Sequence, residues 1–369
     1  MPKAKETVLE IDLKALKHNF EYIKSKLKSD TKLLAVIKAF AYGSDASKIA
    51  NYLQNLNVDY FAVAYVNEGV ALRDAGIKTP ILVLHPQAVN FKTLIERCLE
   101  PSLYNTKILN EFISIATKEQ QHNYPVHIKF NTGLNRLGFR EDEVDGIISK
   151  VKNTSAIKVK SIFSHLAASE DLEEKKFTQS QIGSFNKISE KFTEAIDYKP
   201  ILHLANTSGI LNYPEAHLDM VRTGIGLYGF GNSESENTHL KPIATLKSVI
   251  SQIHHIKKGE TVGYNRAYKS ERIEKTATIP IGHADGIGRQ YGNQKGYVTI
   301  HGEKAPIIGN VCMDMIMVNI TDINCSEGDE VIIFGKQPDA SQFASTANTI
   351  SYEIITAISQ RVKRTFIDN

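Results

Sequence analysis

From about residue 10 to about residue 230 the chain alternates short apolar runs with longer amphipathic stretches, the pattern of repeated strand and helix units around a parallel sheet. The apolar runs predict strands at Leu33–Ile37, Tyr60–Tyr65, Pro80–Leu84, Pro101–Tyr104, Pro125–Phe130, Val159–Ser164, Ile201–Leu204 and Asp219–Arg222. Between them, stretches such as Leu13–Leu27, Ala46–Leu56, Val66–Asp74, Asn105–Thr117 and Thr178–Ala195 carry apolar residues at helical spacing. Eight strands interleaved with helices are the tally of a (β/α)8 barrel of the TIM type. Beyond Ser233 the pattern changes to β-rich segments, Ile243–Ile256, Lys275–Gly282, Tyr297–Ile300, Ala305–Asn310, Met315–Ile320 and Glu330–Phe334, separated by turn clusters. The expected organisation is an α/β barrel domain over residues 1–235 and a mostly β C-terminal domain over residues 236–369. Gly231–Thr238 is the expected linker, and Asn348–Val362 a late helix returning to the barrel or to a partner.

Composition narrows the function without choosing it. With 369 residues, 42% of them hydrophobic, the chain can bury a core large enough for two domains. The formal net charge of +3 comes from interspersed charges with no basic, aromatic-interleaved patch, so nucleic acid is not an expected partner. No apolar stretch approaches the roughly 20 residues that span a bilayer, and the first ten residues are too polar for a signal peptide, which makes the cytoplasm the expected compartment. Cys98, Cys312 and Cys325 have neither disulfide nor metal spacing, and His254 and His255 have no ligand-spaced companion, so no metal is expected.

In such a barrel, chemistry sits at the C-terminal ends of the strands. Lys38, His165, Thr207 and Arg222 fall there on four separate predicted strands. A lysine at a buried strand end either snorkels to water or is used; burial favours its neutral amine, the form that condenses with a carbonyl. Position alone favours snorkelling. The company of Tyr42 and Gly43 in Lys38-Ala39-Phe40-Ala41-Tyr42-Gly43 shifts the balance toward a lysine joined to an anionic ligand. The segments His203–Gly209 and Arg222–Gly226 are short polar loops whose backbone N–H groups suit a phosphate, although each taken singly is ordinary turn chemistry.

Taken together, these residues resemble the alanine racemase family along the whole chain. Ala35–Gly43 looks like the family's cofactor-lysine motif, and Lys129–Gly138 resembles the segment bringing a lysine and an arginine to the site. Val221–Gly229 is similar to the pyridine-contacting motif, and Gly263-Tyr264-Asn265-Arg266 to the second-base segment. Cys312-Met313-Asp314 and Ser351-Tyr352-Glu353 complete the likeness. The resemblance implies a pyridoxal 5'-phosphate-dependent isomerase that interconverts L-alanine and D-alanine by two bases and supplies D-alanine for peptidoglycan. Lys38 would carry the cofactor and act on the D-enantiomer, and Tyr264 on the L-enantiomer. Tyr42, Thr207, Gly224, Ile225 and Tyr352 would hold the phosphate, Arg222 the pyridine nitrogen, and Arg136 and Met313 the substrate carboxylate.

By the same resemblance His165 would link Tyr264 to Arg222. The assembly would be a homodimer in which one subunit's β domain brings Tyr264 and Met313 to the other's barrel. Lys129 would be carbamylated, although from the residues alone a lysine paired with a nearby carboxylate is favoured. Two-base racemisation is coherent chemistry: a proton leaves one face of Cα and another arrives on the opposite face. A phenol with an ordinary pKa of about 10 serves as a base near neutrality only beside cations.

Several positions depart from the family pattern: Asn131 for Asp, His283 for Tyr, Asn310 for Arg and Thr207 for Ser. His283 and Asn310 fall where substrate access is expected, so a broad-specificity or serine racemase is the alternative within the fold. A decarboxylase of the same architecture would place a carboxylate where Arg222 stands, and a non-catalytic cofactor carrier would resemble the barrel alone.

Overall fold

The structure, a computed structural model, describes residues 4–368. Nineteen strands occur among them. In chain order these are β1 (Val8–Asp12), β2 (Lys32–Val36), β3 (Tyr60–Val63), β4 (Ile81–Val83), β5 (Glu100–Leu103), β6 (Tyr124–Lys129), β7 (Ile157–Phe163), β8 (Ile201–His203), β9 (Met220–Thr223), β10 (Ala244–Val249), β11 (Gln252–Ile256), β12 (Thr261–Val262), β13 (Tyr268–Lys269), β14 (Glu274–Ile279), β15 (Tyr297–Ile300), β16 (Glu303–Ile308), β17 (Ile316–Asn319), β18 (Glu330–Phe334) and β19 (Lys363–Ile367). Strands β2 to β9 close a parallel barrel in sequence order, β2 pairing with β9. A nine-stranded sheet follows, in the order β11-β14-β17-β16-β15-β18-β10-β1-β19.

Alternation along the barrel strands explains its two apolar layers. Leu33 and Ala35, Phe61, and Ile81 and Val83 belong to the large cluster shared with the surrounding helices. Leu34, Tyr60, Ala62, Leu82 and Met220 form a small separate cluster inside the barrel. The same alternation on β5 to β8 gives a different interior. Ser102, His127, Ser161 and His203 are fully buried there, where branched aliphatics usually fill a barrel.

Helix starts follow local chemistry. The Asp12 carboxylate accepts from Ala15 N at 2.9 Å to open Leu13–Ser25, and the Asn105 side chain accepts from Ile108 N at 2.9 Å to open Thr106–Lys118. Asn206 does the same for Thr207–Asn212 through Gly209 N at 2.8 Å.

Three segments differ from the sequence expectation. β1, inside the expected unit 1–235, pairs antiparallel with β10 and parallel with β19, so the first strand belongs to the sheet of the C-terminal half. The expected linker is anchored: Glu236 is buried and accepts from Ser208 Oγ at 3.0 Å and from Asn212 Nδ2 at 2.9 Å. The expected helix over Asn348–Val362 is helical only at Ser351–Ala357, and the chain then turns into β19.

Candidate active site

Directly after β2 the backbone enters a left-handed turn. Ala39, Phe40, Ala41 and Tyr42 have φ between 51° and 56°, and Gly43 follows at 82°. Each non-glycine residue in this region costs roughly 1–2 kcal/mol, so the surroundings must hold the turn. Glu68 accepts from Ala39 N at 2.6 Å while its other oxygen accepts from Ala64 N and Tyr65 N. From the far side Arg364 donates to Gly43 O at 2.9 Å and to the carbonyls of Ile358 and Val362, and its guanidinium lies 5.5 Å from the centre of the Phe40 ring. A Cβ on Gly43 would overlap the Ile355 carbonyl. The turn aims Lys38 and Tyr42 at the C-terminal mouth of the barrel.

There, a cavity of about 430 Å³ gathers Lys38, Tyr42, Lys129, Arg136, His165, Thr207, Arg222, Gly224, Ile225 and Tyr352. These are ten of the predicted site residues, brought together from five barrel strands and the helix Ser351–Ala357. Four side chains are cationic types, and among the described residues no carboxylate lines the cavity. Burial and the Arg136 guanidinium lower the pKa of Lys38, with Glu68 opposing them. Burial, Arg136, Arg222 and Lys38 push Lys129 down to about 8. Among the described residues no carboxylate pairs with Lys129, contrary to the pairing favoured from the residues alone; its ammonium lies 5.8 Å from the centre of the Phe163 ring. An uncompensated cationic cluster of this kind favours an anionic ligand.

Arg222 is enclosed. Its Nη1 donates to His203 Nδ1 at 2.8 Å, and its Nη2 donates to Ser164 O at 2.7 Å, Leu204 O at 3.0 Å and His165 Nδ1 at 3.2 Å. Every acceptor is neutral. Burial and the Arg222 charge hold both histidines far below the ordinary imidazole pKa, so each stays neutral and presents a lone pair.

Opposite, Tyr42 stacks on Tyr228 with ring centres 4.5 Å apart and lies 6.0 Å from Tyr352. Burial raises the Tyr42 phenol above its ordinary range and brings Tyr352 to about 12, so both remain hydroxyl donors. A Cβ at Gly224 would overlap the Tyr42 hydroxyl, and Thr207 Oγ1 lies 3.2 Å from Thr223 Oγ1. Small residues, hydroxyls and backbone N–H groups therefore line this end of the cavity, a suitable seat for a phosphate.

Tyr264 and Met313 stand elsewhere. They are 74% and 58% exposed and line a second cavity of about 640 Å³ on the β domain, with Cys312, Met315 and Met317. Asn310 Nδ2 donates to Tyr264 O at 3.0 Å, and His283 is exposed. His85 lines the Lys38 cavity, stacks on Tyr104 and leaves its buried Nδ1 without a protein partner. The sequence assigns no role to Phe163 or Asn232, and to His203 and Asn206 only membership of a loop suited to a phosphate. Strand alternation on β7 and β8 points Phe163 and His203 inward, whereas nothing local marks Asn232, which reaches the cavity only because Glu236 anchors its loop.

Known proteins share this fold and sequence pattern. The profile of the alanine racemase N-terminal domain matches residues 11–231, and that of the C-terminal domain residues 243–366. The alanine racemase of Thermodesulfovibrio yellowstonii is 37% identical over 366 residues, covering 97% of this chain and 97% of its own length. That of Halothermothrix orenii is 37% identical over 368 residues, covering 98% and 96%. Among solved structures, the Clostridium difficile 630 alanine racemase superposes with a TM-score of 0.93 at 35% identity, covering 100% of this chain and 97% of that one. The Bartonella henselae enzyme with covalently bound pyridoxal phosphate superposes at 0.88 with 28% identity, covering 99% and 100%. With both halves matched, the barrel closed in the same order as the sequence and a lysine at the mouth of its cationic cavity, the chain belongs to the alanine racemase family.

Proposed function

We propose that this racemase binds pyridoxal 5'-phosphate in the Lys38 cavity and exchanges the Cα proton of alanine between two bases, Lys38 and a Tyr264 supplied by a second copy of the chain. The cavity's residues fit the cofactor: a buried amine of lowered pKa, an uncompensated cationic cluster, and a seat where any Cβ on Gly224 would strike Tyr42. When bound, the cofactor draws electrons from the amino-acid Cα and makes its proton labile.

The chain's own groups do the rest. The lowered pKa of Lys38 makes its Nζ available both to hold the cofactor and to take or return a proton on one face. The hydroxyls of Tyr42, Thr207 and Tyr352 and the backbone at Gly224 and Ile225 hold the phosphate. Arg222, its other N–H groups committed to neutral acceptors, would offer its remaining donors to the pyridine nitrogen. Arg136 and Met313 bind the substrate carboxylate. Lys129, a buried amine among cations, would add CO2 through its neutral Nζ, lose a proton to solvent and as a carbamate position Arg136. His165 relays between Arg222 and the Tyr264 hydroxyl.

The homodimer is supported by the exposure of Tyr264 with Met313, Met315 and the second cavity they line, an apolar face outside the Lys38 cavity. Residues 1–235 would then serve as the cofactor domain and 236–369 as the domain that completes the partner's site. In the cell the enzyme would work in the cytoplasm and supply D-alanine for peptidoglycan. Among the described residues no helix is long and apolar enough to cross a membrane.

The observation that carries this reading is the convergence of Lys38 with the Tyr42–Gly224 seat in one cavity. Its test is incubation with L-alanine and a panel of other amino acids, following optical activity and CO2 release. Loss of rotation with alanine and no CO2 is expected; CO2 release, or no reaction with alanine, overturns it. Rapid racemisation of serine or larger amino acids would instead point to broad specificity.

A further inference from the structure

A chain of hydrogen bonds runs through the interior of the barrel from Arg222 to its opposite end. His203 Nδ1 meets Arg222 Nη1 at 2.8 Å, and His203 Nε2 lies 2.8 Å from Ser161 Oγ. Ser161 Oγ lies 2.5 Å from His127 Nδ1, and His127 Nε2 lies 2.7 Å from Glu100 Oε2. The three middle residues are completely buried, and Glu100 is the first residue of β5, at the N-terminal end of the strand. Burial and the neighbouring Glu100 raise the pKa of the Tyr60 phenol.

The two ends fix every proton between them. A guanidinium only donates, so His203 Nδ1 accepts and its proton sits on Nε2. That N–H donates to Ser161 Oγ. A doubly protonated His127 would donate to Ser161 as well, leaving the buried Ser161 O–H without an acceptor. Ser161 therefore donates to His127 Nδ1, and His127 Nε2–H donates to the Glu100 carboxylate. All four bonds point the same way, from the cation to the anion, and such aligned chains polarise one another.

We propose that Glu100, acting through His127 and Ser161, is a positioning residue for Arg222: it locks His203 in the neutral Nε2–H tautomer whose lone pair holds the guanidinium in place. Without Glu100 only the Arg222 contact opposes the Nδ1–H tautomer; when His203 adopts it, donor faces donor and Arg222 leaves its position. Polar residues occupy this part of the barrel because an aliphatic filling could not deliver that fixed lone pair. The consequence for catalysis rests on the reading that Arg222 faces the cofactor's pyridine nitrogen.

The test uses the cofactor-loaded full-length enzyme in wild-type, Glu100→Leu, Glu100→Gln and Ser161→Ala forms. Ser161→Ala keeps the volume and breaks the chain in the middle, which covers the case in which Glu100→Leu does not fold. The readouts are the 15N shifts of the His203 ring, identified with a His203→Gln variant, the absorption spectrum of the bound cofactor, and racemisation kcat against KM. In Glu100→Leu and Ser161→Ala the His203 nitrogens should exchange or average their shifts, the spectrum should change, and kcat should fall roughly tenfold with little change in KM. Glu100→Gln keeps an acceptor for His127 and should restore most of the activity. Wild-type shifts for His203 in both chain-breaking variants overturn the proposal. A changed His203 beside an unchanged cofactor spectrum upholds the chain and removes Arg222 from the pyridine nitrogen instead.

Discussion

The Tyr42 hydroxyl and the Cα of Gly224 approach so closely that any side chain at residue 224 would occupy the hydroxyl's place. The contact joins the left-handed turn after β2 to the loop after β9, the first and last strands of the barrel, and fixes the spacing of the proposed phosphate seat. Gly224→Ala must push Tyr42 off the Tyr228 ring it stacks on. Such overpacking costs about 1–3 kcal/mol, and since Tyr42 is a proposed phosphate ligand the cost falls on the cofactor. Cofactor affinity should weaken by roughly one to two orders of magnitude, readable by equilibrium dialysis, while the fold persists by circular dichroism.

Lys129 yields a prediction with a definite sign. Its pKa near 8 lies below the ordinary lysine value of 10.5, because burial and three neighbouring cations disfavour the ammonium. In the absence of CO2, burying this group costs stability at pH below about 8, and the cost is relieved as pH rises from about 8 toward 10.5, where the unfolded chain holds one more proton. Lys129→Met should therefore stabilise cofactor-free, CO2-depleted protein by about 1–3 kcal/mol at pH 7 in urea denaturation. With 13C-labelled bicarbonate the wild-type chain should gain a carbamate resonance that Lys129→Met lacks. A bare amine under those conditions would sink the carbamate proposal.

The eight barrel strands are legible in the sequence because each is a short apolar run between helical stretches, and Lys38 is legible because its strand ends beside it. The left-handed turn that aims Lys38 is not. Ala39, Phe40, Ala41 and Tyr42 have no intrinsic preference for positive φ, and their conformation is imposed by Glu68 and Arg364, residues 29 and 321 positions from their hydrogen-bond partners Ala39 and Gly43. The place of β1 is not legible, because a strand's sheet is chosen by long-range pairing, here with Thr245 and Thr365 opposite Glu10. The polar interior at His127 and Ser161 is visible as alternation, but its partners come from other strands.

Arg364 tests how that turn is held. It is half buried, binds the carbonyls of Gly43, Ile358, Ser359 and Val362, and covers Phe40. Replacing it by Met keeps the stem but strands those carbonyls, at a cost of about 2–4 kcal/mol. Arg364→Met should lower the melting temperature and also loosen Lys38, so that borohydride trapping of the cofactor slows. A stable variant with unaltered trapping would mean the turn holds without Arg364.

The separation of Tyr264 from the Lys38 cavity within one chain gives the sharpest prediction. Lys38→Ala and Tyr264→Phe should each be nearly inactive alone. In a dimer with shared sites, a mixed pair has one barrel carrying both defects and one carrying neither. Co-refolding equal amounts makes about half the dimers mixed, each with one intact site of two, so activity should return to about a quarter of wild type. If each chain completed its own site, every site would keep one defect and nothing would return. Chromatography of the mixture separates this outcome from failure to associate, because restored activity must run with the dimer peak and vanish when the subunits are diluted apart.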